Sequence, residues 1–162
     1  MHNLRVETFI KIIFLVSLVS IISAYFIEYV LGHQPCNLCL IERIPYGLAV
    51  VLIILNHILI KNKRFMILLL ILVFSFSLII SFYHFGIEQG IFEESAVCEL
   101  IDTSNIVSKE ELLKQLQIKN VSCKDVTFRI FGFSLTSLNI IISLILVIFL
   151  SKVFKNYEKF KK

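Results

Sequence analysis

Pro35-Cys36-Asn37-Leu38-Cys39-Leu40-Ile41-Glu42-Arg43 is the stretch on which the fold is decided. Two cysteines stand at i and i+3, and an arginine follows the second at i+4. An apolar run starts at once with Ile44. A dithiol, a cation and an apolar segment so close together point to redox chemistry with something dissolved in lipid.

The composition agrees with a membrane setting. Of 162 residues, 57% are hydrophobic and only 17% are charged, against about 25% charged in soluble domains. Mean hydropathy is +0.87. The net charge of +4 collects in short loops and at the C-terminal tail. That distribution sets membrane topology and excludes a nucleic-acid face.

Working outward from the Cys-x-x-Cys, four apolar runs emerge: about 12–30, 42–60, 65–85 and 133–154. The first rises about 28 Å as a helix, close to the roughly 30 Å hydrocarbon core. It is too long for a signal-peptide core and ends in Tyr25, Phe26, Glu28 and Tyr29, not in a small-x-small site. The reading is therefore an uncleaved span. The second run is short unless its helix starts before Ile44, which brings Arg43 to the interface. Pro45 would kink that helix if it began as early as Cys36. Lys61-Asn62-Lys63-Arg64 is a turn so short that the helices around it must be antiparallel neighbours.

The fold class follows as an all-α membrane protein, a single domain over 1–162 built as a four-transmembrane-helix bundle. The N-terminus, the 61–64 turn and the C-terminal tail are basic, so the positive-inside rule makes both termini cytoplasmic. Loops 31–43 and 86–132 then lie outside, with Tyr29, Tyr46 and Tyr83 near the outer interface. All four cysteines fall on that side, where disulfides persist. The long loop carries eight acidic and five basic residues. Within it, Ser108-Lys109-Glu110-Glu111 reads as a capping box that opens a short amphipathic surface helix bearing Leu112, Leu113 and Leu116.

The cysteine pattern reads as a relay of two disulfides, Cys36–Cys39 and Cys98–Cys123. Cys-x-x-Cys pairs often carry a lowered thiol pKa. Arg43, one helical turn beyond Cys39, would favour thiolate at Cys39 and could hold the polar head of a lipid-soluble acceptor. Cys98 and Cys123 lie in a polar loop suited to meeting a soluble partner. Two alternatives stand beside this. Both bridges could be structural, with the 25-residue closure worth roughly 3–4 kcal/mol. Four thiolates could instead hold zinc, although the second pair is widely spaced for that. Arg43 could equally be a snorkelling anchor. Glu42 reads as a solvated or headgroup-facing charge. His33 and His84 have no assigned role, and His57 has no evident partner.

The segment 35–43 resembles the Pro-Cys-x-x-Cys-x-x-Glu-Arg signature of the disulfide bond formation protein B (DsbB) family. Tyr83-His84-Phe85-Gly86-Ile87-Glu88-Gln89-Gly90 resembles the end of that family's third helix. Ser122-Cys123, then Phe131-Gly132-Phe133-Ser134-Leu135 and Asn139, resemble the approach to its fourth. The resemblance covers nearly the whole chain. It implies a quinone-linked thiol:disulfide oxidoreductase of the bacterial inner membrane that reoxidises a periplasmic DsbA-like thioredoxin-fold partner. In that scheme Cys98 forms the mixed disulfide and Cys123 pairs transiently with Cys36. Cys39 reduces a bound ubiquinone or menaquinone, Arg43 helps to hold it, and no metal is required. The chain has no tryptophan; Leu138 stands where the family often has one, and an apolar contact is expected there. From another class, the alternative is a four-span binding or assembly protein with purely structural disulfides.

Overall fold

The computed structural model describes residues 3–60, 62–94, 97–98, 121–124, 128–130 and 132–157. The expected surface helix between the loop cysteines lies outside these residues.

Four helices dominate the described residues, each long and apolar enough to cross a membrane. Helix α1 runs Asn3–Tyr29 and α2 Asn37–Leu55. A π-helical turn, Asn56–Ile60, extends α2. Helix α3 covers Lys63–Glu88. A two-stranded antiparallel ribbon, β1 (Arg129–Ile130) and β2 (Phe133–Ser134), turns through Gly132 at φ 87° and leads into α4, Leu135–Lys155. Positive φ suits glycine because no Cβ clashes there.

Local chemistry sets the starts. Ser134 caps α4 by accepting from the Ser137 amide at 3.2 Å. Asn62 caps α3 through the Phe65 amide at 3.4 Å. Cys36 caps α2, its sulfur accepting from the Cys39 amide at 3.3 Å. Each satisfies a donor that a helix start leaves open. Helix α2 thus begins well before Pro45, which sits buried inside it. Proline has no N–H, so the Ile41 carbonyl loses its usual helical donor.

Helix α3 packs on α4, and α2 packs on both α1 and α3. The main core gathers Ile13, Tyr46, Phe74, Leu70, Leu146 and Leu150 around the bundle axis. Apolar side chains such as Leu15, Val51, Ile79 and Ile145 face outward, as lipid contact requires. Small polar residues lie at the contact between α3 and α4. Ser77 and Ser143 meet at 3.1 Å between α3 and α4, the close approach that small side chains permit in membranes.

The two ends differ in chemistry. At one, Lys63 bonds Glu7 at 2.6 Å and Arg64 lies over the Phe154 ring. At the other, Cys36, Leu38, Ile87, Cys98 and Cys123 form a second buried cluster.

Candidate redox site

The first turn of α2 brings Cys36 and Cys39 together, with sulfurs 2.7 Å apart. The two sulfurs are not bonded in the structure; Cys36 is buried and Cys39 half-buried. Covalent bonding needs about 2.05 Å, so a small rotation closes the pair. Cys36 also meets His84 of α3, with Nε2 3.5 Å from Sγ.

His84 sits in a polar chain inside the bundle. Its Nδ1 lies 2.8 Å from Glu42 Oε1 and 3.2 Å from Thr136 Oγ1. The Thr136 hydroxyl donates to Glu88 Oε1 at 2.6 Å, so it serves His84 as an acceptor. With the Nδ1 proton directed at Glu42, Nε2 faces the sulfur. It can take the proton of a Cys36 thiol or donate to its thiolate. The other Glu42 oxygen accepts from Asn139 Nδ2 at 3.0 Å, and Asn139 also reaches Ser81 at 2.7 Å. Tyr46 donates to Asn139 Oδ1.

The Cys39 thiol bonding to Cys36 pulls the Cys36 pKa down to about 5. His84 adds to this through its hydrogen bond and charge, while burial opposes both. The sequence placed the stabilised thiolate at Cys39 under Arg43. In the structure Arg43 is turned to Glu28 on α1 and lies over the Tyr25 ring, 5.2 Å from its centroid.

Arg43 and Cys39 line a cavity of about 320 Å³ among α1, α2 and α4. Its wall is mostly apolar, including Val19, Ile27, Leu138 and Ile142, with Glu42, Tyr46 and Asn139 as polar groups. Leu138 therefore makes an apolar lining in the place where tryptophan is absent. His33 also borders the cavity and packs against Phe128, with ring centroids 5.0 Å apart.

Cys98 and Cys123 form a disulfide with Cα atoms 5.6 Å apart. The sequence places it in a polar loop suited to meeting a soluble partner; in the structure it is packed inward. The cysteines are 3% and 2% exposed, packed in the same cluster as Cys36. Asn37 Nδ2 donates to the Val97 carbonyl at 2.8 Å and ties this segment to the start of α2. Glu94 accepts from Ser122 Oγ and the Lys124 amide on the far side of the bridge.

Two further readings change. Glu42 is buried, not solvated, and Tyr46 is buried in the core instead of facing the interface. The polar chain of Glu42, His84, Thr136 and Asn139 went unassigned, although a signal was present. Ser77, Ser81, His84 and Glu88 recur at helical spacing along α3; Thr136, Asn139 and Ser143 do so along α4. Polar stripes in otherwise apolar spans face the bundle interior and mark functional sites.

The family model described as disulfide bond formation protein DsbB matches residues 7–153. The uncharacterized protein RP370 of Rickettsia prowazekii (strain Madrid E) is 34% identical over 139 residues, covering 83% of this chain and 80% of that protein. No solved structure matches the chain. With four membrane-spanning helices and two cysteine pairs at one end of the bundle, this chain belongs to the DsbB family of disulfide bond formation proteins.

Proposed function

We propose that the protein is a quinone-linked thiol:disulfide oxidoreductase of the bacterial inner membrane. It reoxidises a periplasmic DsbA-type partner and passes the electrons through two cysteine pairs to ubiquinone or menaquinone. The observation that carries this reading is the meeting of both pairs in one buried cluster, with Cys39 also lining the cavity beside Arg43. Basic residues at 61–64 and in the tail support cytoplasmic termini and periplasmic cysteines.

Disulfide exchange proceeds by thiolate attack on one sulfur with the other leaving. A partner thiolate attacks Cys98 and releases Cys123 as thiolate. Cys123 attacks Cys36 of the closed Cys36–Cys39 pair and releases Cys39. The partner's second thiol displaces Cys98, so the partner leaves oxidised. Cys98 then attacks Cys123, restoring Cys98–Cys123 and leaving Cys36 and Cys39 reduced. Two electrons have moved inward, and His84 Nε2, 3.5 Å from the sulfur, donates to Cys36 as it departs as thiolate.

The cavity suits a flat ring bearing carbonyl oxygens and an apolar tail, since a few polar groups converge on an apolar wall. Bound quinone supplies the final acceptor of two electrons and two protons. Arg43, oriented by Glu28, presents donors to its polar head, while Cys39 presents the sulfur from which the electrons leave.

Purified protein, reduced DsbA-type partner and ubiquinone test the reading through loss of quinone absorbance. Loss that disappears in Cys39→Ser and in Cys98→Ser supports it; turnover retained in Cys39→Ser overturns it. No loss with either ubiquinone or menaquinone favours the four-span assembly protein, for which the burial of Cys98–Cys123 speaks.

A further inference from the structure

Three soft donors converge at the outer end of α2 and α3. The sulfurs of Cys36 and Cys39 and a ring nitrogen of His84 all lie within 4.8 Å of one another. We propose that the reduced Cys36–Cys39 pair and His84 Nε2 form a binding site for a thiophilic divalent cation such as Zn²⁺, present only while the pair is reduced.

Geometry supports the donor set. Tetrahedral zinc with Zn–S of about 2.3 Å and Zn–N of about 2.0 Å separates sulfur from nitrogen by about 3.5 Å. Cys36 Sγ and His84 Nε2 are 3.5 Å apart. The two sulfurs, at 2.7 Å, must open by about 1 Å to reach tetrahedral spacing. Cys39 is only half-buried and borders the cavity, so its side chain has room to turn.

The surroundings match a metal-bound imidazole. A histidine ligand commonly donates its other ring N–H to a carboxylate, which fixes the tautomer and the ring orientation. Glu42 Oε1 occupies that place at 2.8 Å from Nδ1.

A second, independent observation is Glu88. Its side chain is only 6% exposed, and Oε1 lies 4.0 Å from His84 Nε2. Its Oε2 is buried with no hydrogen-bond partner among the described residues. A buried carboxylate oxygen left unpaired is unfavourable and calls for a proton, a water or a cation. A cation between Cys36, Cys39 and His84 takes Glu88 as its fourth ligand, directly or through water.

Binding releases the Cys39 thiol proton and the proton shared by Cys36 and His84 in exchange for one M²⁺, and transfers no electron. Closing Cys36–Cys39 removes both thiolate ligands, so oxidation ejects the cation. A bound cation holds the pair reduced and blocks its reoxidation. The site therefore makes the protein inhibitable by excess zinc outside the membrane. The inference needs only the reduced thiols, so it stands or falls apart from the quinone reading.

The test uses the full chain in detergent, reduced, freed of reductant and kept anaerobic, with Co²⁺ as spectroscopic probe. One Co²⁺ per chain is expected, with a thiolate-to-cobalt charge-transfer band and the intense visible bands of a tetrahedral site. Zn²⁺ displaces it and protects Cys36 and Cys39 from alkylation, located by peptide mass. Cys36→Ser and His84→Ala lose the band while circular dichroism stays helical. Glu42→Gln keeps the band but binds about 10- to 100-fold more weakly. Equal binding by oxidised protein, or an unchanged spectrum in His84→Ala, overturns the proposal. If His84→Ala does not fold, the comparison of reduced with oxidised wild-type chain decides alone.

Discussion

His84 Nε2 stands 3.5 Å from the Cys36 sulfur, although 48 residues separate the two in the chain. The contact joins the start of α2 to the end of α3 and gives the buried thiol a basic neighbour.

A pH profile follows directly. The Cys36 thiol ionises near pH 5, so its alkylation rate stays level above about pH 6. It falls as pH drops through 5, where the thiolate takes its proton back. An unperturbed thiol titrates near 8.5. His84→Ala removes two of the influences that lower this value, and the midpoint should rise by about one unit or more. Rapid-mix alkylation of reduced protein across pH 4–9 reads it. A midpoint unchanged by the substitution would sink the assignment.

Asn139 ties together Glu42, Ser81 and Tyr46. Asn139→Ala leaves a buried carboxylate oxygen and a buried phenol short of partners. Each orphaned group costs about 1–3 kcal/mol. Thermal unfolding in detergent should show a clear loss of stability. Tyr46→Phe deletes only the donor at the edge of the network and should lose less.

The Arg43–Glu28 pair is 17% and 20% exposed, so the cost of taking both charges out of water offsets much of their attraction and its net contribution to stability is small. On the proposed quinone-linked activity, its effect should appear in quinone use. Glu28→Gln frees Arg43 to snorkel toward water, and the apparent KM for quinone should rise about tenfold, roughly 1.4 kcal/mol of binding. Arg43→Lys should do no better, because an ammonium lacks the planar fork. Steady-state quinone reduction measures both. A KM for the thiol partner that moves in step would contradict a role confined to the cavity.

The buried Cys98–Cys123 bridge must come out before a protein thiol can attack it in line. The hydrogen bond from Asn37 to the Val97 carbonyl helps to hold it in. Asn37→Ala removes about 1 kcal/mol of that restraint, so reduction of the bridge by a small dithiol should run about fivefold faster. Quenched-flow alkylation of Cys98 checks the rate.

Much of this was legible from the residues. The four helices announce themselves because lipid demands unbroken apolar length, and the cysteines stand outside the apolar runs. The family signature around Cys36 and Cys39 is local and so survives in a single sequence. The polar chain was harder. Glu42, His84 and Asn139 are distant in sequence and meet only through helix packing, which no local pattern encodes. Glu42 also follows a loop motif, where a charge reads as solvated; the early start of α2 buries it instead. Arg43 was found but its partner was not, since Glu28 lies on another helix and only the bundle brings the two together.

Cys36 is at once a redox sulfur and the cap of α2. In the proposed relay that sulfur turns to bond Cys123, which takes the acceptor from the Cys39 amide and frays the first helical turn. Turnover therefore leaves a mark in backbone hydrogen exchange. The Cys39 amide is capped by Cys36 in the structure and should exchange faster while the proposed Cys36–Cys123 bond exists. A backbone proton, observed without touching any thiol, becomes a clock for the catalytic cycle.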